Sequence, residues 1–103
     1  MILLQIVAKN EELADEISKI LIDHKLIIDA ALSPIKVLQK KDDNCFKNSR
    51  VLITARTKAL LFQKIDILIR EHFGHNMPTV YSVPIVHMDW EQAEVLLKET
   101  EKV

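Results

Sequence analysis

Several segments that read as β-strands are apolar on both parities, and this pattern governs what the chain can become. In a sheet with helices on one face only, side chains point to opposite faces with period two, so apolar and polar residues should alternate. The first strand-like segment instead carries Ile2, Leu4 and Ile6 on one parity and Leu3 and Val7 on the other. The second shows Ile27 and Ala31 against Leu26, Ile28, Ala30 and Leu32, and the third Val51, Ile53 and Ala55 against Leu52 and Thr54. Leaving about four such side chains bare would forgo roughly 1.5–3 kcal/mol each. Apolar patches of that extent mark interfaces, so the second face is expected to be covered by other copies of the chain.

The element order follows from local signals. Ile2 to Ala8 reads as a strand, and Asn10 with Glu11 and Glu12 behind it suits a helix start. Leu13, Ile17, Ile20, Leu21 and His24 then recur at helical spacing. Leu26 to Leu32 is expected as the second strand, with Ser33-Pro34 as a bend and Ile35 to Leu38 continuing past it. Lys40 to Ser49 is expected as a polar hairpin tip, and Arg50 to Arg56 as the returning strand. Thr57 is the expected cap of a second helix whose apolar stripe is Leu61, Ile65, Leu68 and Ile69, and Gly74 its left-handed stop. Thr79 to Ile85 reads as the fourth strand, and Asp89 and Gln92 have the spacing of a capping box opening a short third helix. The result is a single α+β domain of ferredoxin-like βαββαβ order with a short C-terminal helix.

Composition narrows the function classes. The 103 residues suit one domain, and 49% hydrophobic with 28% charged residues is globular composition. A net charge of -1 supplies no field for nucleic acid or an anionic membrane, and five aromatic residues make a poor base-stacking platform. The single cysteine, Cys45, has no second thiol to pair with and stands among polar residues, as an exposed surface thiol would. The apolar start is shorter than a signal peptide and lacks a basic leading segment, and no stretch has the length of a membrane span, so the cytoplasm is the expected location.

With the elements in this order, the chain resembles the CutA family of divalent-cation tolerance proteins, whose fold is related to that of the PII signalling proteins. Lys25-Leu26-Ile27-Ile28-Asp29-Ala30 falls where the family has a Leu-Ala-Ala-Cys segment. Val51-Leu52-Ile53-Thr54-Ala55-Arg56-Thr57 is similar to the family strand that ends in Lys-Thr. His75-Asn76-Met77-Pro78-Thr79-Val80-Tyr81-Ser82-Val83-Pro84-Ile85 resembles the segment Tyr-x-x-Pro-Glu followed by a strand ending Leu-Pro-Ile, with Pro78 and Pro84 keeping the family spacing. The resemblance spans essentially the whole chain and implies a homotrimer linked to metal-ion response, not an enzyme. It departs at the family site: the cysteine proposed as a copper ligand falls on Asp29, the tyrosine on His75 and the glutamate on Thr79. The family's Trp-x-Gly hairpin segment has no counterpart among Gln39 to Asp43.

Three groups of residues are candidate sites. His72, His75 and Met77 lie close in sequence, and imidazole and thioether are ligands for copper, imidazole also for zinc. They fall short of the usual ligand count unless a neighbouring chain contributes, and a solvated helix end is the plainer account. His87-Met88 is a weaker pair of the same kind. Asp29 stands in an apolar run and needs a partner, for which Arg56 and Lys36 are the candidates. Asp29, Lys36 and Arg56 would form either a structural ion pair or an intersubunit cleft for a small anion or nucleotide, as in a PII-like sensor. No Ser/His/Asp set, metal-binding motif or acid pair points to catalysis.

Overall fold

The strand Ile2–Ala8 (β1) is the centre around which the chain closes. Ile2, Leu4, Ile6 and Ala8 are buried, whereas the alternate residues Leu3, Gln5 and Val7 are only half-buried. The structure, a computed structural model, describes residues 1–103. The remaining elements are α1 (Glu11–Asp23), β2 (Ala31–Lys41), β3 (Asn44–Thr57), α2 (Phe62–Phe73), β4 (Thr79–Pro84) and α3 (Trp90–Glu99). The strands form one antiparallel sheet in the order β2-β3-β1-β4. The α+β, ferredoxin-like fold is the one the element order predicts.

Asn10 caps α1 by accepting a hydrogen bond from Leu13 N at 2.8 Å. Ile17 and Leu21 of α1, and Ile65, Ile69 and Phe73 of α2, pack with Leu4, Ile6 and Ile53 in one core. Both helices therefore cover the same face of the sheet. Asp89 caps α3 through Gln92 N at 3.1 Å, as its spacing predicts, but α3 buries only Leu96.

The second strand begins later than expected. Leu26 to Ala30 is not strand, because α1 ends in a Schellman motif. Lys25 adopts φ 57, and Lys25 N and Leu26 N donate to Ile22 O and Leu21 O, both at 3.0 Å. The turn drives Leu26 and Ile27 into the core beside Leu21. These two residues thus serve the core from a loop and do not contribute to an outer sheet face.

The hairpin is also longer than expected. Asp42 and Asp43 take φ 52 and 65, a type I′ turn that reverses the chain in two residues. Lys40, Lys41 and Asn44 to Ser49 are therefore paired strand residues, and Cys45, though exposed, lies in β3. Pro34 does not bend the strand away; it pairs opposite Val51 on β2, an edge strand, where proline is tolerated. Thr57 ends β3 and its hydroxyl donates to Leu26 O at 2.6 Å, so it does not cap α2, which follows a 3-10 turn over Ala59–Leu61. Gly74 has φ -55 and ψ -31 and leads into a second 3-10 turn, Gly74–Asn76, without any left-handed residue.

The helix-free face carries Leu3, Val7 and Leu52 at its centre, with Tyr81 and Val83, each 43% exposed, on β4. A polar row, Gln5 opposite Thr54, crosses it. Beyond the body, β2 and β3 continue as a two-stranded arm that presents Ile35, Val37 and Phe46 on this same parity.

Candidate functional site

Two of the grooves on the open face hold candidate residues, and the sheet register decides which residues line each. The first lies where the loop before β2 meets α3. Extending the register from Ala31 opposite Thr54 brings Asp29 opposite Arg56. Their side chains form an ion pair at 3.5 Å between Arg56 Nη2 and Asp29 Oδ2. Ile28, Met88, Val95 and Leu96 supply apolar walls and Gln92 an amide, around a volume of about 270 Å³.

The carboxylate of Asp29 is 67% exposed and the guanidinium side chain of Arg56 43% exposed. The expected pairing is present, but Asp29 sits on a solvated loop and not inside a strand, so it bears no burial cost. Exposed pairs of this kind are worth about 0–1 kcal/mol. Asp29→Asn should accordingly lower the thermal midpoint by only a few degrees, measured by differential scanning calorimetry. Lys36 does not join the pair. It lies on the arm with the opposite parity to Arg56, opposite Ser49, to whose Oγ its Nζ donates at 2.6 Å. Within one chain the set Asp29, Lys36 and Arg56 is thus a pair and a separate lysine.

The second groove lies where the arm leaves the body. Val7 and Thr79 of the body, Val37, Gln39 and Arg50 of the arm, and the segment from His75 to Pro78 enclose about 480 Å³ together with Lys9. Gln39, Arg50 and Lys9 are not legible as a cluster in the sequence, because only the pairing of Ile35 with Arg50 and Val7 with Leu52 brings them to one end of one face.

Of His72, His75 and Met77, the last two lie along the second groove and His72 is not among its lining residues. His72 is exposed at the end of α2, its Nδ1 3.0 Å from Leu68 O. His75 lines the second groove, and Met77 also packs against the core. No three His, Cys, Asp or Glu side chains form a group that could hold a metal ion. His24 is exposed at the end of α1, 2.9 Å from Ile20 O.

Fold and open face together define a four-stranded ferredoxin-like protein with one uncovered sheet face. The family model of the CutA1 divalent ion tolerance protein matches residues 2–96, and the chain belongs to that family. No curated protein matches the sequence. Among solved structures, a point mutant of CutA1 from Pyrococcus horikoshii superposes with a TM-score of 0.90 at 20% identity, over 99% of this chain and 100% of that one. The divalent cation tolerance protein of Thermus thermophilus gives 0.87 at 19% identity, over 98% and 100%. The periplasmic divalent cation tolerance protein CutA of Archaeoglobus fulgidus gives 0.88 at 20% identity, over 98% and 100%. At these identities the likeness is one of fold. No helix is long and apolar enough to cross a membrane.

Proposed function

We propose that the chain acts in the cytoplasm as a non-enzymatic homotrimer in the response to divalent metal ions, with its working surfaces formed where copies meet. The observation that carries this reading is the uncovered face itself. Leu3, Val7 and Leu52 are half-buried by their own sheet, yet no helix covers them, and Tyr81 and Val83 extend the apolar surface to the β4 edge. The arm of β2 and β3 adds Ile35, Val37 and Phe46 in continuity with it. Membership of the divalent ion tolerance family supplies the link to metal ions.

On this reading copper or zinc binds weakly. One chain brings no three His, Cys, Asp or Glu side chains together, so a site of the usual ligand count needs donors from two copies. Native mass spectrometry of untagged protein with copper(II) and zinc(II) tests this. The expected spectrum is a trimer whose ions are fewer than one per chain and are removed by a chelator. One ion per chain retained against the chelator would contradict weak binding and point to a resident metal. A monomer would overturn the assembly.

A further inference from the structure

The groove between arm and body has a donor set unlike the rest of the surface. Its ten lining residues include Lys9, Arg50 and His75 and no carboxylate, although the whole chain has 15 acidic side chains to 14 Lys and Arg. None of the three takes part in an ion pair. Arg50 spends Nη1 on Ser49 O at 2.8 Å, which leaves its other N–H groups to donate. Gln39 uses Oε1 to accept from Asn48 Nδ2 at 2.8 Å, so its amide presents N–H donors. Asn76 and Thr79 add an amide and a hydroxyl on the opposite side. Glu12 and Glu16 line an adjoining smaller groove that shares Lys9 and Asn76.

A divalent cation entering this groove would meet two fixed positive charges and no carboxylate. An anion would meet a guanidinium fork, an ammonium and neutral donors, the set that recognises a phosphoryl group. Resting on the reading that working surfaces form where copies meet, we infer that this groove, lined by Lys9, Arg50 and His75 and made a cleft between copies when the face is covered, is an oxyanion site that takes a phosphate group, either free or carried on a small molecule. His75 thereby serves an anion and not a metal. Arg50 is the discriminating residue, because Lys9 is shared with the acidic groove beside it.

Isothermal titration of the intact protein with inorganic phosphate and with pyrophosphate tests the site, with sedimentation velocity run on the same samples. Saturable binding is expected, weakened at least tenfold by Arg50→Gln and severalfold by Lys9→Gln, with the oligomeric state unchanged. Tighter binding of pyrophosphate than of phosphate would assign the site to a larger phosphorylated ligand, and the reverse to free phosphate. Absence of saturable binding by either anion, or binding untouched by Arg50→Gln, would overturn the inference. Dissociation of the assembly by Arg50→Gln without anion binding would do so too, since the groove would then hold an acidic group of a second copy. The sedimentation result separates failure of the site from failure of the trimer.

Discussion

Leu52→Lys should convert the assembly to monomers while leaving the fold intact. Leu52 stands at the centre of the helix-free face, opposite Val7 on β1 and Ser33 on β2. In a single chain it is half-buried, so a lysine stem can lie along the sheet and raise its ammonium into water. In an assembly that covers the face, the same ammonium is enclosed without a partner. An uncompensated buried charge costs about 3 kcal/mol or more, which corresponds to more than a hundredfold loss in association. Sedimentation velocity at micromolar concentration should show one slow species, and far-ultraviolet circular dichroism should match the parent. An unchanged sedimentation coefficient would mean that Leu52 lies outside any interface.

The second large effect is expected at Lys58. Its side chain is buried, with 8% of the residue exposed. The ammonium meets no carboxylate and donates instead to Glu101 O at 2.7 Å and Thr100 O at 3.4 Å. Glu101 N donates to Lys25 O at 2.7 Å, and the Glu101 carboxylate pairs with Lys64. These bonds tie the C-terminal residues to the turn after α1 and to the start of α2. They matter because α3 has little else to hold it, with Leu96 its one buried side chain. Hydrogen bonds from a charged donor contribute about 1.5–3 kcal/mol. Lys58→Met should therefore lower stability by roughly 2 kcal/mol, a fall in the thermal midpoint of the order of 10 °C for a domain of this size. Hydrogen exchange should quicken at Thr100, Glu101 and along α3 and stay slow in β1. Equal protection of α3 in parent and variant would show that Leu96 alone suffices.

The residues that sequence patterning places well are those whose signals are local. Asn10 and Asp89 cap helices because a short polar side chain followed by an amphipathic run leaves the backbone few other solutions. Ile17, Leu21, Ile65 and Ile69 are buried as their helical spacing requires. The misplacements of β2 and of the hairpin share one cause, left-handed residues that are not glycine. Lys25, Asp42 and Asp43 all have positive φ. Lysine carries no turn signal, so the Schellman motif at Lys25 is hidden in the sequence and Leu26 and Ile27 read as strand. Aspartate tolerates the left-handed region, yet Asp42 and Asp43 within a run of charges look like a broad loop.

The candidate sites depend on register, which no single segment carries. Chemical need alone pairs Asp29 with Arg56, and the register does bring them together. The same chemical logic cannot tell that Lys36 lies opposite Ser49, on the other parity of the strand pair. His72 and His75 are near in sequence, but His72 ends the helix while His75, in the 3-10 turn Gly74–Asn76, lines the groove. Lys9 and Arg50 gain meaning only from the way the arm leaves the body beside β1.

The central claim is that the helix-free face is covered by two further copies of the chain. Sedimentation equilibrium of the untagged protein at micromolar concentration tests it most directly. A single species of three times the chain mass is the predicted result, and a species of one chain mass at that concentration would contradict it.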